Sequence, residues 1–232
     1  MPTWEDLHTA VAQAIRFFDA TQEPFALLWL DVMHRRFEIE PFADALRRFD
    51  EALGRQPSPL MRVFRRIADP DNPLHVEDLD AVTQSSDRIL VTALYCDRLA
   101  LPPSFPEVLA KAVRAGGYYL THVLLASIWM RARGYGPALP PGFIDDLYRC
   151  NAAIIDEDPT TVTDLKLEAA AFLYLAEKGS LVTDRFVASV IVTQNHDGGW
   201  GKRRDGRDGS DWHATILGLL LLLHVRLRAE RV

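Results

Sequence analysis

The chain has 232 residues, 48% of them hydrophobic and 25% charged, with a formal net charge of −6. That length suits a single domain with a substantial buried core, and the composition is globular rather than disordered. An acidic balance argues against a nucleic-acid binder, since those carry a basic excess. The pairs Arg35-Arg36, Arg65-Arg66 and Arg203-Arg204 accordingly read as solvated surface. Two cysteines, Cys96 and Cys150, make no disulfide framework and are too few for a thiolate metal cage. The opening MPTWEDLHTA lacks the basic leader and apolar core of a signal peptide. The longest apolar run, 216–223, falls far short of the roughly 20 residues that a membrane span requires. These features predict a soluble cytoplasmic protein with no membrane partner.

Taken in chain order, apolar residues recur at helical spacing almost everywhere, with breaks at Pro, Gly and Asp clusters. The pattern predicts helices over 4–19, 24–37, 40–53, 58–68, 76–83, 86–99, 105–115, 118–133, 142–155, 163–178, 183–195 and 212–229. Strand signals are almost absent, so the chain reads as all-α. In the second half an amphipathic helix is followed each time by a more apolar partner: YYLTHVLLASIWM, DLKLEAAAFLYLA and DWHATILGLLLLL. A helix apolar over most of its circumference has to be enclosed on most sides. Hairpins of one half-exposed and one enclosed helix, repeating about every 45 residues, suggest a closed ring with the apolar members inside. An open α-solenoid would give a similar pattern with an exposed concave face.

Three of the enclosed helices place polar residues just inside their N-terminal ends. The first has Thr121-His122, the second has Asp164 with Glu168 one turn later, and the third has Asp211 and His213. If the helices stand in register, these starts meet at one mouth of the ring. Two imidazoles with one or two carboxylates suit zinc with an open position, or ferrous iron. Each residue also has a plainer explanation. Asp164 and Asp211 sit where N-caps belong, Glu168 can pair with Lys166 or a neighbouring arginine, and a single His122 on an apolar helix suits a hydrogen-bonded core position. Recurrence at three equivalent places is what favours the metal reading. His196 in the loop NHDGG reads as solvated, while His34 and His75 have no companions at ligand spacing. Cys150 reads as a packing residue on an outer helix, and Cys96 as a residue approaching the cavity. The chain contains no GxSxG, P-loop, dinucleotide fingerprint or CxxC.

The stretch VTQNHDGGWGKRRDGRDGSDWHATILGLLLLL resembles the repeat of the terpenoid-cyclase and protein-prenyltransferase superfamily, whose fold is an α/α toroid. Gln194, Gly198 and Trp200 match the Gln-x-x-x-Gly-x-Trp motif of its cyclase branch, which implies that Gln194 and Trp200 tie neighbouring helices together. Gly198-Gly199, Asp211, Trp212 and His213 resemble the prenyltransferase arrangement in which the histidine is a zinc ligand. Asp164 takes the place of that family's aspartate ligand, whereas the place of its cysteine ligand holds no thiol; His122 is a candidate replacement. FALLWLDVMHRRF, followed by these motifs, is also similar to a group of uncharacterised bacterial toroid proteins. No Asp-rich protonating motif of squalene-type cyclases is present. Lanthionine cyclases share the toroid, but the motifs around their two cysteine ligands are missing.

The expectation is therefore a single-domain α/α toroid acting as a metal-dependent enzyme on a peptide or small metabolite. His122, Asp164 and His213 would hold one divalent zinc or iron ion, with Glu168 as fourth ligand or general base. Lys202, Arg203, Arg204 and Arg207 in the 196–210 loop would favour an anionic or peptide-like substrate. One alternative is a non-catalytic toroid binding a hydrophobic ligand or a protein. Another is a metal-free terpenoid cyclase with an acid deep in a cavity lined by aromatics such as Trp29, Tyr118, Tyr119, Trp129 and Trp212.

Overall fold

A computed structural model describes residues 2–135, 139–203 and 208–230. Among them there are α-helices and short 3-10 turns and no strand; the one β-type pairing is an isolated bridge between Trp200 and Asp211. The helices in chain order are α1 (Trp4–Phe17), α2 (Pro24–Phe37), α3 (Ala45–Arg55), α4 (Pro59–Phe64), α5 (Ser85–Leu94) and α6 (Phe105–Ala115). They continue with α7 (Gly117–Ala132), α8 (Phe143–Asp156), α9 (Asp164–Leu175), α10 (Asp184–Val192) and α11 (Trp212–Ala229). The expected elements are present, and the differences lie in the first half. The predicted 40–53 helix splits into a 3-10 turn, Glu40–Phe42, and α3, with Pro41 near the start of that turn. The predicted 58–68 helix tightens to 3-10 geometry at Arg65–Ile67, and 76–83 is a 3-10 turn, Val76–Ala81.

The predicted 86–99 helix stops at Leu94 because the next residues are committed elsewhere. Tyr95 donates its hydroxyl to the carbonyl of Val63 at 2.9 Å, and Asp97 receives a two-pronged bond from Arg66 at 2.8 and 2.6 Å. Arg66 is buried and also lies over the Tyr95 ring, 4.6 Å from its centroid. A buried guanidinium is tolerable only when its donors are met by a planar carboxylate and backbone carbonyls, as they are here. Cys96 follows in this turn and is buried without lining the pocket described below, while Cys150 is exposed rather than packed.

The helices with apolar residues on nearly all sides are enclosed. α5 packs on α7, α7 on α9, and α9 on α11, while α11 also lies against α2 and α1. α6 covers α7, α8 covers α7 and α9, and α10 lies against α1. Thus the C-terminal helix packs beside the N-terminal hairpin, as the apolar surface of 212–229 required. The run from Ala214 to His224 is buried without a break, which only contacts on several sides can achieve. No helix among the described residues is long and apolar enough to cross a membrane.

Candidate functional site

The N-terminal ends of the enclosed helices gather around one pocket of about 960 Å³. α7 contributes Tyr118 and His122, α9 contributes Glu168, and the start of α11 contributes Asp211, Trp212 and His213. The facing wall comes from the α1–α2 turn (Thr21, Gln22, Glu23) and the entry to α5 (Gln84, Ser86). That second wall carries no motif and is scattered over distant loops. The signal that would have found it is the in-register rule itself, extended to the starts of α2 and α5.

Loop 194–211 sets the height of His213. Asp197 accepts hydrogen bonds from the backbone N–H of Gly199 (3.1 Å) and Ser210 (2.8 Å) and from the Ser210 hydroxyl (2.6 Å). Asn195 donates to Gly201 O and Ser210 Oγ, both at 2.9 Å. Gly198 has φ +88, and a Cβ there would stand 2.4 Å from the carbonyl oxygen of Gln13, so the loop can seat against α1 only with glycine. Gln194 bridges to the carbonyls of Ala10 and Gly198, each at 2.8 Å. The Trp200 indole is buried, donates to Val190 O at 2.8 Å and lies directly over Gly218 of α11. The Gln194–Trp200 segment therefore ties α1, α10 and α11 together. Arg204 and Arg207 lie outside the described residues. Arg203 lines the pocket, and Lys202 and His196 do not.

Asp211 is the N-cap of α11. Its Oδ1 accepts from the backbone N–H of His213 at 2.9 Å and of Ala214 at 3.2 Å. α9 is capped differently: Thr163 accepts from Lys166 N at 3.3 Å, so Asp164 stands at the first helical position with its carboxylate directed elsewhere. Tyr118 donates its hydroxyl to Asp164 Oδ2 at 2.6 Å, and Asp164 Oδ1 lies 2.8 Å from His213 Nδ1. An ionised carboxylate can only accept, so Nδ1 carries the hydrogen in this contact. His213 Nε2 then faces Glu168 Oε2 at 3.6 Å, and Glu168 Oε1 lies 3.5 Å from His122 Nε2. Glu168 is completely buried and accepts a short hydrogen bond from Thr121. Lys166, its expected partner, turns instead to the carbonyl of Asp158.

The four expected residues are thus brought together, as two groups meeting at the His213 ring. Asp164, which meets Nδ1, together with Asp211 and His213 offers ligand atoms within 4.8 Å of one another. On the Nε2 side stand Glu168 and His122. Burial, helped by the nearby His213, pushes the His122 pKa down to about 4, so its ring is neutral at pH 7. A donor set of one imidazole and two carboxylates, with a second imidazole close by, fits a divalent ion such as zinc or ferrous iron. Of the aromatics named for a terpenoid cavity, only Tyr118 and Trp212 line the pocket. Trp29 instead stacks on Phe172 in the core, 6.5 Å between centroids. The pocket walls mix apolar surface, from Phe17, Ala20 and Trp212, with amide, hydroxyl and charged groups. No family model, curated protein or solved structure matches this chain.

Proposed function

We propose that the protein is a metal-dependent enzyme of the α/α-toroid class, acting on a polar small molecule or peptide held in the 960 Å³ pocket. The ring reading is supported by the neighbour order α5–α7–α9–α11–α2 and by the convergence of five helix N-termini on one pocket. Likeness to the terpenoid-cyclase and prenyltransferase superfamily belongs to this proposal. It draws support from Gln194 and Trp200, which hold helices together as the motif implies.

The observation that carries the functional reading is the His213 ring, flanked by carboxylates on both sides. In this reading Asp164, Asp211 and His213 Nδ1 hold the ion, which would take the place of the hydrogen between Nδ1 and Asp164 Oδ1, two atoms 2.8 Å apart. Such an ion, when bound, supplies Lewis-acid polarisation of a substrate oxygen or of water. Glu168 then fixes the ring from behind, in the carboxylate–histidine–metal arrangement that sets the tautomer and raises ligand basicity. Glu168 and the neutral His122 are the proton-handling pair: a buried carboxylate beside an uncharged imidazole can take a proton from a hydroxyl or water and return it to a leaving group. Tyr118 steadies Asp164. His122, expected as a ligand, is assigned to proton transfer here because it reaches the cluster only across Glu168. The test is metal content after expression in zinc- or iron-supplemented medium. One ion per chain is expected in the wild type, lost in Asp164→Ala and His213→Ala and kept in His122→Ala. A metal-free wild type would sink the metal assignment.

A second reading is favoured by the directness of the 2.8 Å Asp164–His213 contact. Tyr118, Asp164, His213 and Glu168 would form a proton relay without any ion, and a metal-free protein that binds polar ligands in the same pocket would support it.

A further inference from the structure

The wall of the 960 Å³ pocket that faces the His213 cluster has no part in the metal reading, yet it is firmly built. Phe17 closes α1 and Glu23 precedes α2, and both line the pocket. The turn between them is fixed at several points. The backbone N–H of Thr21 donates to the Phe18 carbonyl at 3.1 Å, and the Thr21 hydroxyl accepts from the Glu23 N–H at 3.3 Å. Arg48 of α3 donates to the Thr21 carbonyl. Pro24, at the start of α2, restricts the backbone just after Glu23. Glu23 is partly buried, and its carboxylate makes no hydrogen bond or ion pair among the described residues. Two aromatic rings share the pocket with it, each steadied by a neighbour. Phe17 meets the buried Phe18 edge-on with centroids 5.0 Å apart, and Trp212 meets His213 edge-on at 5.5 Å.

Resting on the reading of this cavity as the substrate pocket, we propose that Glu23 is a specificity-determining residue that selects substrates bearing an ammonium group. The carboxylate of Glu23 pairs with that group, and the rings of Phe17 and Trp212 give it aromatic surface. A plainer explanation would make Glu23 a helix cap, but a capping acid accepts from the second or third N–H of its helix and Glu23 makes no such bond. A carboxylate drawn partly out of water without a partner gains most from a charged donor. Aromatic faces attract cations and offer nothing to anions. A neutral hydroxyl would satisfy the carboxylate but not the rings, and an anion would be opposed by Glu23. An ammonium group meets both. Arg203 also lines the pocket, but it is exposed, where water and salt screen its charge.

The experiment titrates the full chain at pH 7 with three probes of equal length, n-butylammonium, n-butanol and butyrate, following the backbone amide signals of Thr21, Gln22 and Glu23. Saturable binding of the ammonium probe that moves these signals is expected, with butanol and butyrate bound at least tenfold more weakly. Glu23→Gln should weaken the ammonium probe about tenfold, as loss of one charge-assisted bond implies. Phe17→Leu, which keeps apolar bulk and removes the ring, should weaken it about threefold. A further arm with Nα-acetyl-lysine amide separates the two sources of such a group. Tighter binding of that probe points to a lysine side chain of a peptide, and tighter binding of butylammonium to a small free amine. Zinc content is measured on the same samples. Zinc bound without any amine binding defeats this inference alone, whereas amine binding without zinc defeats the metal reading alone. Undiminished binding in either variant, or butanol or butyrate matching the amine, overturns the role given to Glu23.

Discussion

Replacing Trp200 by alanine tests the joint that positions the site. The indole is 1% exposed, so its removal empties a core site, which costs about 3–5 kcal/mol. It also strands the carbonyl of Val190, which receives the indole N–H at 2.8 Å, adding about 1 kcal/mol. For a chain of this size, with roughly 2–4 °C per kcal/mol, the melting temperature should fall by about 10–20 °C. Urea denaturation followed by far-UV circular dichroism at pH 7 measures the free energy directly. A partner substitution sharpens the test. Gly218→Ala alone places a Cβ 2.6 Å from the Trp200 ring and should cost about 1–3 kcal/mol by overpacking. In the Trp200→Ala background the same methyl enters the vacated space, and alanine suits a helix interior better than glycine by about 1 kcal/mol. The double variant should therefore be no less stable than Trp200→Ala. A Trp200→Ala cost under about 1 kcal/mol, or strict additivity of the two changes, would refute this account of the joint.

Asp211→Ala should lose about 1 kcal/mol of stability through the missing N-cap, read as a shift in urea midpoint in metal-free buffer. Gly198→Ala should cost more than that, because both φ +88 and the Gln13 carbonyl oppose a side chain, and proteolysis should then cut the 194–211 loop more readily. The pH dependence has a definite sign. His122 and His224 titrate at about 4 and about 3 in the folded chain, below the ordinary histidine value. The unfolded chain thus binds protons first, and stability is full above about pH 7 and lost as pH falls through 6.5. By pH 5 each ring removes up to about 2 kcal/mol, counting 1.36 kcal/mol per pKa unit. His224→Phe should flatten the fall between pH 7 and 5 by that amount, as measured by urea midpoints at the two values.

Much of this architecture could be read from residues alone, for reasons that particular segments make clear. α7, α9 and α11 are apolar around their circumference, so enclosure was unavoidable. The polar residues at their starts were conspicuous because the middle of each helix is almost wholly apolar. The 95–99 segment was misjudged because its helical spacing is genuine, while the Arg66–Asp97 and Tyr95–Val63 bonds that end the helix come from residues roughly thirty positions away. Long-range hydrogen bonds of this kind leave no periodic trace. Asp164 was open to a capping explanation beside its reading as a ligand, because Thr163, one residue earlier, serves equally well as a cap. Only the side-chain positions show which of the two turns toward the backbone. The division of the site into two sides of the His213 ring, and the polar wall from Thr21 to Glu23, depend on side-chain direction and loop packing, which spacing does not encode.

The most direct test of the central claim is to follow the imidazole nitrogens of His122 and His213 by long-range proton–nitrogen correlation while adding one equivalent of zinc. The account predicts that His213 begins with its hydrogen on Nδ1, directed at Asp164, and that zinc moves it to the Nε2–H form with Nδ1 bound to the ion. His122 should stay neutral and metal-free throughout. Unchanged His213 signals, or a metal-bound His122 in place of His213, would contradict it.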